Sequence, residues 1–322
     1  MRLLVTGGAG YIGSVVTTQL LDAGHAVTVL DDLSTGHAAA IPDGATFIQG
    51  SLLDPAGLGA LLGRGFDGVL HFAAKSLVGE SMEHPGRYWR NNVGGTLELL
   101  DAMAAAGVPR LVFSSTAAVY GEPETVPIPE SAPTRPGSAY GGSKLAVDTM
   151  IGTYVRAHGL AATSLRYFNV AGASGRFGER HTTETHLVPL VLEVAAGRRE
   201  QVRVYGTDYP TPDGTAIRDY IDVEDLARAH LLALDAAEVG RHAIYNLGNG
   251  QGYSVRQVIE AARRITQRTI HAVGAPRRPG DPAVLVASSA LAASEPGWAP
   301  EKPALDEMVR DAWTWLRSWM TA

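Results

Sequence analysis

Apolar and polar positions follow two rhythms along the first half of the chain. Short apolar runs recur at Arg2 to Thr6, Ala26 to Leu30, Ala45 to Gln49, Gly68 to Phe72, Arg110 to Ser114 and Ala161 to Arg166, and each reads as a strand. Longer stretches with helical spacing lie among them, at about Ile12 to Asp22, Trp89 to Ala106 and Tyr140 to His158. Strands and helices in alternation predict a parallel sheet covered by helices on both faces. After Phe168 the rhythm breaks, and Gly172 to Arg180 and Thr207 to Gly214 are irregular and rich in Gly, Pro and Arg. Three helices remain legible beyond that point: Val223 to Ala236, Ser254 to Thr266 and an amphipathic Pro303 to Met320. The break places a domain boundary near residue 170.

At 322 residues the chain has room for two domains with a substantial core. A net charge of −6 argues against nucleic acid or an anionic membrane surface as the main partner. No cysteine is present, which excludes disulfides, thiolate metal sites and a cysteine nucleophile, and fits a reducing cytoplasm. The N-terminal residues run directly into glycines with no secretory pattern. No uninterrupted apolar stretch approaches the roughly 18 residues of a membrane helix.

Two local patterns carry chemistry. Thr6-Gly7-Gly8-Ala9-Gly10-Tyr11-Ile12-Gly13 sits between a predicted strand and a predicted helix, the context a dinucleotide turn requires. Glycines there let the backbone turn tightly beside a pyrophosphate, which the positive end of the next helix favours. Asp31 follows at the end of the second strand, where an acid can accept from a ribose hydroxyl. Asp31 and Asp32 together would repel the 2′-phosphate of NADP, so NAD is the expected cofactor. The second pattern is Tyr140 with Lys144, four residues apart and therefore on one face of a helix. A neighbouring ammonium favours phenolate, so a phenol with an ordinary pKa of about 10 is expected to fall toward neutrality and serve as a base. Ser114, Ser115 and Thr116 lie at the end of the fifth strand, on the sheet edge where open α/β folds bind ligands. The fold class expected is thus α/β, a Rossmann-type doubly wound parallel sheet over residues 1–170, with a smaller C-terminal α/β substrate domain over 171–322.

Longer motifs run the length of the chain: TGGAGYIG from Thr6, DDLSTGH from Asp31, HFAAKSLVGES from His71 and NNVGGT from Asn91. They continue as FSSTAAVYGEP from Phe113, YGGSK from Tyr140, RYFNVAGA from Arg166, DYPTPDGTAIRDYIDVEDLA from Asp208, NLGNGQGYSV from Asn246 and RRPGD from Arg277. In these the chain resembles the UDP-glucose (UDP-galactose) 4-epimerases of the extended short-chain dehydrogenase/reductase superfamily. The block from Asp208 discriminates most, because the glycine turn and the Tyr-Lys pair belong to the whole superfamily.

The resemblance implies Thr116, Tyr140 and Lys144 as the catalytic group. It implies Gly7, Gly10, Tyr11, Ile12, Gly13, Asp31, Phe72, Asn91 and Lys144 as the NAD site. Asn169, Tyr205, Arg218, Arg278, Asp281 and Leu285, with Thr116 and Tyr140, are the implied UDP-sugar contacts. The implied reaction moves the C4 hydride of a UDP-hexose to NAD and returns it to the other face of a 4-keto intermediate, with a UDP-N-acetylhexosamine or a UDP-uronate as the alternative substrate. A homodimer is also implied. Two guanidiniums suit a diphosphate that an acidic protein otherwise repels.

Some positions depart from the family. Ser51 stands where an adenine-contacting Asp is common, and Ser76 replaces a lysine, with Lys75 one position earlier. Leu285, at the position thought to gate N-acetylated sugars, is intermediate in bulk. Thr116 is followed by Ala117 and Ala118 where related dehydratases carry an Asp-Glu pair, so that chemistry lacks its acids. His181 and His186 have no matching carboxylate geometry in the sequence and read as structural residues, with no metal expected.

Overall fold

The computed structural model describes residues 1–278 and 280–321. The expected strands form β1 (Arg2–Thr6), β2 (Ala26–Asp31), β3 (Thr46–Gln49), β4 (Gly68–His71), β5 (Arg110–Thr116) and β6 (Ala161–Tyr167). A seventh strand, His242–Leu247, comes from far along the chain and joins the edge of β6. The order across the sheet is His242–Leu247, β6, β5, β4, β1, β2, β3, with every pairing parallel. That is the Rossmann-type arrangement, wound outward in both directions from β1.

Both faces are covered, so the strands read as apolar runs rather than alternating ones. Helix α1 (Tyr11–Asp22) and helix Val223–Asp235 bury Val15, Val16, Leu20, Leu226 and Ala227 against Leu3 and Val5 on one face. On the other face Leu58, Leu62, Leu99, Met103, Val147 and Ile151 close over Leu4, Val69 and Leu111. A third core joins helices Leu187–Ala195, Val255–Thr266 and Leu305–Thr321, around Val191, Val258, Met308 and Val309. Near it lie a two-stranded sheet, Val202–Tyr205 with Ala272–Ala275, and a four-stranded one centred on Ile217–Asp222.

Two features depart from the sequence pattern. The seventh strand, with its Ala243-Ile244-Tyr245 run, lies beyond the break in rhythm and takes its place by pairing with β6 across a long stretch of intervening chain. The expected single helix over Trp89 to Ala106 is two pieces, a π-helical turn at Trp89–Gly94 and an α-helix at Gly95–Ala106. The wide turn carries Asn92 inside, where Oδ1 accepts from Lys75 N (2.9 Å) and Nδ2 donates to Lys75 O (3.0 Å) and Ser143 Oγ (3.0 Å). Such turns cluster at functional sites.

The long helix Ala139–His158 is held to the sheet by a buried ion pair. Arg166 of β6 donates through Nε (3.1 Å) and Nη2 (2.9 Å) to Asp148 Oδ2, with the two side chains 5% and 4% exposed. Arg166 Nη1 also donates to Tyr120 Oη (3.1 Å), which donates to Asn246 Oδ1 (2.7 Å) on the seventh strand. Removing one partner of such a pair strands a charge in the interior. Asp148→Ala should therefore lower stability by about 3–5 kcal/mol, read as a shift of the urea midpoint.

Candidate active site

The glycine turn is shaped by contacts that only glycine permits. A Cβ on Gly13 would lie 2.3 Å from Gly7 O, so any side chain there would force α1 away from the turn. Gly7 N donates to Leu30 O (2.8 Å), tying the turn to β2. Helix α1 then starts with no side-chain cap and no acid in its first turn. Its leading N–H groups and dipole are thus left to an anion from outside the chain. Asp31 closes the arrangement, with Oδ2 accepting from Ala9 N (3.0 Å) and Oδ1 from Leu33 N (2.8 Å). Burial raises its carboxyl above the usual value, against the pull of those two amides. A carboxylate offers about four acceptor positions, so Asp31 keeps capacity for a hydroxyl donor. Phe72 follows β4, its N donating to Thr6 O (2.9 Å), and Asn91 Nδ2 donates to Asn92 Oδ1 (3.1 Å). A cradle without side chains, an uncapped helix start and an acid at the next strand end fit the dinucleotide that the sequence implies.

The catalytic candidates converge at the C-terminal edge of β5. Polar residues extend this strand to Thr116 because Ser114, Ser115 and Thr116 pair in register with Leu165, Arg166 and Tyr167. Ser138 caps the long helix by accepting from Gly141 N (3.1 Å). Gly141 lets its first turn lie against the chain after β5, since a Cβ there would sit 2.5 Å from Ala118 O. Tyr140 is thereby held beside Thr116, with the Tyr88 ring edge-on to its own at 6.5 Å. Thr116 Oγ1 accepts from Ala118 N (3.2 Å), which leaves its proton for the phenol or a ligand.

The electrostatics differ from the expected phenolate. Burial raises the Tyr140 phenol above its usual value, and only the Thr116 hydroxyl works the other way. Lys144 is 3% exposed and donates to Ser114 O (2.7 Å), with its ammonium 4.7 Å from the centre of the Phe113 ring. Burial pushes it down to about 7, against the pull of Asp148. A low-dielectric interior disfavours both charges at once, which spacing along a helix cannot reveal. His71, which the motif reading did not single out, bridges Thr6 Oγ1 (2.6 Å) and Thr96 Oγ1 (2.8 Å), and burial lowers it to about 3.

The implied substrate residues divide into two groups. Arg218 donates to the Asp281 carboxylate and to Pro282 O (2.8 Å), and it pairs in register with Leu285. Arg278 lies over the Tyr205 ring, Cζ 4.1 Å from its centre, and these two share a cleft with Glu184, Arg199 and Arg203. Asn169 pairs with Tyr220 on a neighbouring strand. Arg218, Asp281, Leu285 and Asn169 do not line that cleft. Asp219, not singled out in the sequence, clips two loops together by accepting from Asn249 N (2.7 Å), Gly250 N (3.0 Å) and Ala287 N (3.0 Å). His181 and His186, read from the sequence as lacking carboxylate partners, face two: His186 Nδ1 is 2.8 Å from Glu179 Oε1, and His181 Nδ1 is 3.3 Å from Glu184 Oε2.

Residues 3–248 match the model of the NAD dependent epimerase/dehydratase family. A UDP-glucose 4-epimerase of Corynebacterium glutamicum is 58% identical over 313 residues, covering 97% of this chain and 95% of the relative. The fold superposes on UDP-glucose 4-epimerase from Brucella ovis in complex with NAD at a TM-score of 0.93 and 44% identity, covering 97% of both chains. It also superposes on UDP-glucose-4-epimerase from Stenotrophomonas maltophila with bound NAD and formylated UDP-arabinopyranose at a TM-score of 0.96 and 41% identity, over 100% of this chain and 99% of that one.

Lys144 links stability to pH. Below about pH 7 the folded chain carries its charge at a cost the unfolded chain does not bear. Between about 7 and the ordinary lysine value of 10.5 the unfolded chain binds the extra proton, so this group makes stability rise with pH. Lys144→Met removes the cost. Urea unfolding of cofactor-free protein should show wild type gaining on the variant across that window.

Proposed function

The chain belongs to the NAD dependent epimerase/dehydratase family, and on that premise we propose that it interconverts UDP-glucose and UDP-galactose as an NAD-dependent isomerase. The observation that carries the reading is the meeting of Thr116, Tyr140 and Lys144 at the sheet edge beside the glycine turn. NAD supplies a hydride acceptor that gives the hydride back, so the reaction has no net oxidation.

Gly7, Gly10, Gly13, Tyr11 and Ile12 would hold the pyrophosphate end of the cofactor, and Asp31 would take the adenosine ribose. Phe72 and Asn91 would complete the NAD site, and Lys144 would reach the nicotinamide ribose. Tyr140 Oη takes the proton of the sugar 4-hydroxyl, with Thr116 Oγ1 sharing it. A phenol raised by burial needs nearby positive charge to ionise near neutrality, and Lys144, one helical turn on, is the residue that supplies it. Arg218, Arg278, Asn169, Asp281 and Tyr205 grip the UDP, so binding energy sits away from the reacting carbon and the sugar is free to turn. Leu285, paired with Arg218, bounds the sugar pocket.

We assign the NAD site to residues 1–170 and the UDP-sugar site to 171–322, with Val223–Asp235 and His242–Leu247 returning to the first sheet. The acidic net charge supports a chain with no nucleic-acid partner. Among the described residues no helix is long and apolar enough to cross a membrane. A cytoplasmic homodimer, which the family resemblance implies, completes the proposal.

Incubation with UDP-galactose and no other redox partner should yield UDP-glucose. Turnover confined to UDP-galacturonate or UDP-N-acetylgalactosamine would overturn the substrate assignment. Tyr140→Phe should lose about 10²–10⁴-fold in kcat, the usual worth of a general base, and near-native turnover by that variant would remove Tyr140 from the proton path.

A further inference from the structure

Residues 172–186 form a strap whose Glu184 end reaches the cleft that also holds Tyr205 and Arg278. It passes the glycine turn, where Tyr11 Oη donates to Gly172 O (2.7 Å). It meets the loop after β2, where His37 Nε2 lies 3.2 Å from Arg180 O. Trp315 Nε1 of the C-terminal helix donates to Arg176 O (3.1 Å). Glu179, His181, Glu184 and His186 then turn inward together, each offering one ligand atom, and those atoms all lie within 4.8 Å of one another.

The separations are 2.8 Å from His186 Nδ1 to Glu179 Oε1, 3.3 Å from His181 Nδ1 to Glu184 Oε2 and 3.5 Å from His181 Nδ1 to Glu179 Oε1. His186 Nδ1 is also 2.9 Å from Glu184 Oε1. Zinc bonds of about 2.0–2.2 Å to imidazole and carboxylate give a tetrahedron with edges of about 3.4 Å. With Glu184 Oε2 as its ligand atom, the group has three edges of 2.8–3.5 Å and no separation above 4.8 Å, close to the scale of such a tetrahedron. The carboxylates are 10% and 7% exposed, and among the described residues their ion pairs are to these two histidines alone. Two neutral imidazoles with two carboxylates match a dication in charge and in donor type. The second Glu184 oxygen accepts from Thr185 N (2.7 Å) and His186 N (2.8 Å), which fixes that carboxylate as outer contacts fix a ligand.

We propose that Glu179, His181, Glu184 and His186 bind one divalent cation of the zinc class, which fastens the strap across the cofactor end of the sheet. All four positions come from protein, so the site is structural rather than catalytic. Its ligands are distinct from Thr116, Tyr140 and Lys144, and it stands whatever sugar the enzyme turns over.

The test uses full-length holoenzyme dialysed against EDTA and titrated with zinc chloride, followed by calorimetry and thermal unfolding. Wild type should bind one zinc per chain and gain at least about 2 °C in Tm. His181→Ala and His186→Ala should each weaken binding at least about tenfold and lose the Tm gain, whereas His84→Ala, outside the cluster, should change neither. Cobalt(II) should give the visible absorption of a four-coordinate site in wild type and His84→Ala, and not in the variants at 181 and 186. Should an alanine variant not fold, Glu179→Gln keeps the shape, removes one ligand charge and carries the same expectation. No stoichiometric binding, or equal binding by wild type and the doubly substituted H181A/H186A chain, would overturn the proposal and leave the four residues as an ion-pair cluster of protonated histidines.

Discussion

The ion pair between Arg166 and Asp148 sets the position from which everything at the site is measured. Tyr140, Lys144 and Asp148 follow one another at four-residue spacing, so they stand in one row along the long helix. Fixing Asp148 against Arg166 in β6, and Lys144 against the Ser114 carbonyl in β5, fixes the rotation and the height of that helix. The phenol at the head of the row is then delivered to the strand edge where Thr116 waits. Burying two charges costs several kcal/mol per ion before their attraction is counted. The hydrogen bonds of Arg166 to Tyr120, and of Tyr120 to the seventh strand, offset part of that cost. The same contacts tie the late strand to the catalytic one.

A second consequence is electrostatic tension inside the site. Lys144 is pushed down to about 7, the Tyr140 phenol is raised, and His71 is held neutral by burial. None of these states is the comfortable one for its side chain in water. Strain of this kind marks sites at which protons move, because both forms of a group then lie within reach. The protein tolerates it because the surrounding layers are closely packed. Leu4, Val69, Leu99 and Met103 crowd one face of the sheet, and Leu3, Val5 and Leu226 the other.

The glycine turn and the strap show the two ways this chain handles anionic groups. At the turn, backbone N–H groups and a helix dipole are left bare, and no side chain competes with the ligand. In the strap, two carboxylates are brought inward and faced with imidazoles. Tyr11 joins the two, following the glycines in sequence and donating to Gly172 at the start of the strap.

The sequence alone determined the layered α/β class, the six early strands, the glycine turn and the row of residues on the long helix, because all of these are local. A four-residue spacing or a short apolar run is readable without knowing what it packs against. The tertiary structure decided the rest. The seventh strand finds its place by pairing with β6, and the π-helical turn brings Asn92 between Lys75 and Ser143. The need for glycine at 141 appears only when Ala118 O is found 2.5 Å from where its Cβ would stand. Spacing puts Lys144 in one row with Tyr140, and only the fold shows it buried against the Ser114 carbonyl. Charge states and ligand cages depend on burial and on neighbours distant along the chain, and one-dimensional spacing carries neither.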